Sequence, residues 1–279
     1  MAVASIAAVA GLIAISASDG DGSGSDPAAE LGPVHVHGLG VNPADDALYI
    51  ATHTGMWRLP PDSDKAIPVG ESRQDTMGFT IVGPDHFLGS GHPDNLEQPS
   101  LLGLIESLDR GATWNAISLL GQADFHVLRA IGTRVYGYDV SGRRLLVSDD
   151  RGRTWTERTP QATVLDLAPD PTAPRTLVAT TASGLLTSRN AGRTWKRLGA
   201  EVGLLGWPLP NRLFLAAANG DVFVSTNPGN RWRRVGSLGG QPSAFLAHSA
   251  RELYAALHDG SILHSRDAGR SWRAVTGGG

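Results

Sequence analysis

Ser148-Asp-Asp-Arg-Gly-Arg-Thr-Trp155 decides the fold, because the chain repeats it. The same pattern stands at Ser107-Leu-Asp-Arg-Gly-Ala-Thr-Trp114, Ser188-Arg-Asn-Ala-Gly-Arg-Thr-Trp195, Ser225-Thr-Asn-Pro-Gly-Asn-Arg-Trp232 and Ser265-Arg-Asp-Ala-Gly-Arg-Ser-Trp272. The serines lie 41, 40, 37 and 40 residues apart, and the consensus is S-x-[DN]-x-G-x-[TSR]-W. Its chemistry is that of a hairpin turn. The side-chain oxygens of Asp109, Asp150, Asn190, Asn227 and Asp267 accept hydrogen bonds from the turn's own N–H groups. The glycine supplies a positive φ, and the tryptophan covers the base of the turn. Local bonds account for these acidic and amide residues, so they are structural and not catalytic.

A unit of about 40 residues holds four short strands, the size of one propeller blade. The third unit places strands at 125–131, 134–138, 145–148 and 154–158. A unit without the pattern precedes the others, with strands at 34–41, 47–52, 55–59 and 66–69. Six such meanders predict an all-β, six-bladed β-propeller with the patterned hairpins between the third and fourth strands of blades 2–6. Closing the ring removes the sheet edges that one meander would expose. The last unit has its own fourth strand, so no strand exchange is needed to close the ring.

Composition agrees. The chain has 279 residues, 35 of them Gly and 17 Pro, which leaves little room for long helices. Asp outnumbers Glu by 20 to 7, and Asp is the turn former of the two. The net charge of −3 gives no basic surplus for a phosphate backbone, so nucleic acid is not an expected partner. With no cysteine, disulfides, thiolate metal sites and cysteine nucleophiles are excluded.

Residues 1–18 contain an almost wholly apolar run, Ala2 to Ala17, followed by the small-residue stretch Ser16-Ala17-Ser18. Residues 19–32 begin with the polar stretch Asp19-Gly-Asp-Gly-Ser-Gly-Ser-Asp26. These features predict an export signal or membrane anchor, a flexible linker, and a propeller over 33–279. The expected location is outside the cytoplasm: secreted, periplasmic or tethered at the cell surface. No Lys or Arg precedes the apolar run, and a buried N-terminal helix is the alternative.

Neighbouring strands of a blade run antiparallel. The start of each first strand and the end of each second strand therefore share one face, opposite the patterned hairpins. Aligning the second strands puts His53, His92, Val140, Ala182, Ala218 and His258 in one column. The three histidines fall on blades 1, 2 and 6, which are consecutive in a closed ring. The first strands add His35 and His37 on blade 1, Met77 on blade 2, and Asp124 and His126 on blade 3; Asp139 ends the second strand of blade 3. His35 and His37 alternate with a Val, so an extended strand points both the same way. The insertion His92-Pro-Asp-Asn-Leu-Glu-Gln-Pro-Ser100 is expected to lean over this opening as a lid or wall.

Imidazoles converging on one mouth point to a metal, because His is the commonest ligand of zinc and copper. The expected ligands are His37, His53, His92 and His126, supported by His35, His258, Met77 and Asp139. Methionine would favour copper and aspartate zinc. Without a metal, the same groups would contact a small polar or glycan ligand.

The repeat resembles the Asp-box (BNR) repeat of sialidases, sortilin-type receptors and photosystem assembly factors. The segments His35-x-His-Gly-Leu39, Ala51-Thr-His53, Met77-Gly-Phe-Thr80, Gly89-Ser-Gly-His-Pro93 and Asp124-Phe-His126 resemble those of secreted bacterial Asp-box propellers classed as sialidase-like or glycosyl hydrolase-like. The resemblance implies a hydrolase, glycosidic or metal-dependent, or a protein-binding propeller. Sialidases of this repeat type use three arginines, a Tyr–Glu pair and an Asp. Here nearly all 22 Arg sit in or beside the patterned turns, the arginine triad is not found, and Tyr138 and Asp139 reach the other face but Glu is scarce there. Asp124, Asp139 and Asp166 are the carboxylates a two-carboxylate glycosidase would recruit.

Overall fold

The computed structural model describes residues 32–276. The segments predicted as export signal or anchor and most of the linker lie outside them. Six four-stranded antiparallel meanders follow one another along the chain, at 36–69, 75–118, 125–158, 164–199, 203–237 and 242–276. Each keeps its strands in sequence order from the centre outward, so the architecture is the six-bladed β-propeller read from the repeat. No helix occurs among the described residues. The innermost strands contact one another in series, and the first (Val36–Val41) meets the last (Pro242–Ala247), which closes the ring. Blade 6 pairs with its own fourth strand, Arg273–Thr276, without strand exchange.

Each blade junction has its own apolar cluster. Tyr49 and Met56 pack on Phe79 and Phe87 between blades 1 and 2. Leu88 and Leu104 pack on Phe125 and Leu128 between blades 2 and 3. The remaining junctions repeat the arrangement, and the sixth joins Ile50 and Trp57 of blade 1 to Tyr254 and Ile262 of blade 6. Each fully buried large side chain of this kind contributes about 1.5–3 kcal/mol, so the ring is held by six comparable joints. Polar stitches cross the same joints. Asp166 of blade 4 accepts from Arg129 of blade 3 (2.7 Å), from the Leu167 N–H (2.7 Å) and from the Leu205 N–H of blade 5 (2.7 Å).

The patterned turns form as expected in four blades. In blade 3, Ser148 Oγ donates to Asp150 (2.7 Å) and accepts from the Gly152 N–H (2.8 Å). Asp150 accepts the Thr154 N–H (2.9 Å) and hydroxyl (2.7 Å). Gly152 has φ 83°, and the indole of Trp155 lies 3.4 Å from where its Cβ would be. Blade 5 departs from this: Ser225 donates to the Asn227 carbonyl, and the Asn227 side chain bonds Asn230. The position that carries a hydroxyl in the other turns is Arg231.

Strand ends differ by one or two residues where turn chemistry intervenes. The fourth strand of blade 3 is Thr156–Arg158, because Thr154 and Trp155 complete the turn. The first strand of blade 1 begins at Val36, because His35 has φ 50°. The alternation expected to align His35 with His37 therefore does not operate.

Candidate metal centre

The second strand of blade 1 (Leu48–Thr52) ends in a tight turn. Thr52 Oγ1 accepts from the Thr54 N–H (3.1 Å) and donates to the Gly55 carbonyl (2.8 Å). Blade 4 builds the same turn with Thr181, Ser183 and Gly184 and carries Ala182 where blade 1 carries His53. The turn needs no imidazole, so His53 is free for other chemistry.

His53 Nδ1 lies 2.8 Å from Asp75 Oδ2, and His37 Nε2 lies 3.4 Å from Asp75 Oδ1. Two residues come from blade 1, and Asp75 opens the first strand of blade 2 (Asp75–Gly83). One donor atom from each lies within 4.8 Å of the other two. His37 Nε2 and Asp75 Oδ1 are buried and have no hydrogen-bond partner among the described residues. At 3.4 Å the two atoms fall short of good hydrogen-bond geometry; a proton on Nε2 or a cation between them would satisfy both. Ligands about 2.0–2.2 Å from a tetrahedral zinc stand roughly that far apart. Burial pushes the Asp75 carboxyl up, but bonds and charge from His37 and His53 outweigh it and hold Asp75 below the usual carboxylate range. An ionised carboxylate beside two imidazoles is a donor set suited to zinc or copper.

A second grouping borders the first. Asp75 pairs across the ladder with His92, which ends the second strand of blade 2 (His86–His92). His92 Nε2 lies 3.8 Å from Asp124 Oδ2, and His126 Nε2 lies 3.0 Å from the same oxygen. The four first-choice histidines thus divide between two aspartates. Met77, His37 and His126 line the mouth of a central cavity of about 700 Å³, whose wall includes Phe79, Trp207 and Phe245.

Other expected residues stand apart. Asp139 is fully buried and saturated: it accepts the Asp124 N–H (3.0 Å), Ser141 Oγ (2.7 Å) and Arg144 Nε (2.8 Å). It positions Asp124 and has no free oxygen lone pair directed at a metal. His258 is exposed on blade 6, and its backbone N–H donates to the Gln241 carbonyl. His35 is exposed, its ring centre 6.2 Å from that of His53. The 92–100 insertion is tied down at both ends: Ser100 O meets His92 Nδ1 (2.8 Å), and Asp94 accepts from Ser72 Oγ (3.1 Å) and the Arg73 N–H (2.5 Å).

The glycosidase candidates fare differently. Tyr138 is buried, and Asp166 is occupied with Arg129 and two N–H groups. Burial raises Asp139, but the Asp124 N–H, Ser141 and Arg144 lower it further, so like Asp75 it is no proton donor at neutral pH.

Sequence reasoning missed Asp75. The signal was there: Asp75-Thr-Met77 and Asp124-Phe-His126 open the first strands of successive blades with the same spacing.

No family model matches this chain, and no curated protein does. Its shape is shared by solved propellers. YCF48 from Cyanidioschyzon merolae is 15% identical with a TM-score of 0.52, over 86% of this chain and 84% of that one. A GH74 enzyme from Niastella koreensis is 14% identical with a TM-score of 0.64, and the GH74 xyloglucanase from Xanthomonas campestris is 18% identical with a TM-score of 0.59. Each GH74 match covers 87% of this chain, which spans only 45% of either enzyme. Similarity at this level is similarity of fold.

Proposed function

We propose that this chain is an exported Asp-box β-propeller that binds a divalent transition metal, zinc or copper, through His37, His53 and Asp75. The observation that carries the proposal is the pair of buried, unbonded atoms, His37 Nε2 and Asp75 Oδ1, facing each other at 3.4 Å beside a third donor on His53. Three protein ligands would match the number found in zinc sites that also take a substrate or water, and one of them, His37, lines the cavity. A metal there would supply a Lewis acid; the protein supplies its orientation and the walled space in front of it. Export is supported by the apolar run and the Gly/Ser/Asp stretch at the N-terminus.

The test is a competition titration of untagged protein with Zn²⁺ and Cu²⁺ against a chromophoric chelator. Asp75→Ala is expected to weaken binding at least 10-fold, since even supporting partners of metal ligands are worth about 10–100-fold. Unchanged affinity in a folded variant overturns the proposal. Two alternatives draw on the neighbours' printed names. A glycoside hydrolase, suggested by the GH74 enzymes, would release a fluorogenic glycan product without added metal. A protein-binding propeller, suggested by YCF48 bound to D1 peptide, would take up a partner segment irrespective of Asp75.

A further inference from the structure

We infer that the mouth holds a second cation position, made by His92, Asp124 and His126. The inference extends the metal reading of the mouth but stands on its own donors. The decisive contact is His92 Nδ1 to the Ser100 carbonyl at 2.8 Å. A carbonyl oxygen only accepts, so Nδ1 carries the proton and, in the neutral ring, Nε2 presents a bare lone pair. That lone pair faces Asp124 Oδ2 at 3.8 Å. At 3.8 Å the two atoms do not bond each other, and a cation between them would meet both. The arrangement is also the usual support of a metal-bound imidazole, whose other N–H donates to a backbone carbonyl.

A second observation comes from Asp124 itself. Its side chain is 9% exposed, and its other oxygen, Oδ1, is buried without a hydrogen-bond partner. His126, which lines the cavity, is hydrogen-bonded through Nε2 to Oδ2 at 3.0 Å, and a cation would take the place of that shared proton. The backbone of Asp124 is pinned by the saturated Asp139, so the carboxylate is held in place. The donors of His92, Asp124 and His126 do not all stand within 4.8 Å of one another, unlike those of the first position; His92 and His126 are each more than one-third exposed, so the two rings are free to close on an ion without repacking the core. The insertion after His92 thereby has a definite role: its return at Ser100 selects the tautomer of a ligand.

Because Asp75 and His92 are paired neighbours in the ladder, the two positions share a border, and the ligand class is a pair of divalent first-row cations. The test is equilibrium dialysis of the untagged full chain against Zn²⁺, with elemental analysis. Wild type is expected to hold two equivalents, and His92→Ala/His126→Ala and His37→Ala/His53→Ala one each. Asp124→Asn, which keeps the shape and removes the charge, is expected to match the His92/His126 double variant and guards against misfolding. The inference is overturned if neither Asp124→Asn nor the His92/His126 variant loses zinc. If those variants lose one equivalent and His37→Ala/His53→Ala loses none, the second position stands and the first fails. Wild type without zinc overturns both.

Discussion

Gly91→Ala is the substitution that most sharply joins backbone to site. Gly91 precedes His92 at φ 145°, a conformation L residues rarely adopt. A Cβ there would lie 1.9 Å from the Asp75 carbonyl oxygen and 3.0 Å from the Met77 nitrogen. Backbone strain of this kind costs about 1–3 kcal/mol, and overpacking adds roughly 1–3 kcal/mol. The total, about 2–6 kcal/mol, corresponds to a fall in Tm on the order of 10 °C for a domain of this size. To relieve the contact, the Asp75 backbone must retreat by roughly 1 Å, whereas metal ligands tolerate about 0.2 Å. Zinc affinity should therefore fall at least 10-fold, on the order of a lost ligand. Gly132→Ala is the control: its φ is 60°, and a Cβ there meets nothing within 4 Å. It should pay the backbone strain alone and leave zinc affinity unchanged. Thermal melts and chelator competition on both variants read the two effects. If Gly91→Ala melts with Gly132→Ala and binds zinc like wild type, the reasoning about this close approach is wrong.

Asp166→Ala should destabilise the ring by about 3–5 kcal/mol, because it strands Arg129 and two N–H groups at a three-blade joint; a denaturant titration showing under about 1 kcal/mol would contradict it. Asp150→Ala should lower the melting temperature more than Asn227→Ala, since the Asn227 side chain does not bond the residue four positions on; equal losses would argue against the turn chemistry. Stability should fall under acid. Hydrogen bonds from Thr154, first its N–H and then its hydroxyl, hold Asp150 at about 2, and Ser271 does the same for Asp267. Asp139 is also lowered. Depressed folded-state values stabilise above the unfolded value of about 3.9, and that contribution is lost as pH falls through the folded values. Urea midpoints that stay level from about pH 5 to about pH 2 would exclude this linkage.

The repeat made the architecture readable because each copy encodes its own turn: serine, aspartate, glycine and tryptophan act locally and recur in register. The face assignment followed from antiparallel connectivity, and it put His53 and His92 at equivalent second-strand ends without any knowledge of packing. What stayed hidden depends on contacts between blades. Asp75 shows only as the counterpart of Asp124 one blade on; its importance comes from the preceding blade, which delivers His37 and His53 to it. Asp139 looked like a ligand by position, yet Ser141, Arg144 and the Asp124 N–H use up its oxygens. The single grouping expected of the four histidines divides in two because His53 and His92 each reach across to the next blade's aspartate, at 2.8 and 3.8 Å. The positive φ of His35, which begins the first blade two residues late, is likewise a backbone property that alternation could not reveal.

The most direct test of the proposed metal site is anomalous diffraction at the zinc edge from crystals of the untagged protein soaked in Zn²⁺. The account predicts a peak about 2.0–2.2 Å from a nitrogen of His37, a nitrogen of His53 and an oxygen of Asp75. A map with no peak there, or with zinc only on exposed imidazoles such as His258, would contradict it.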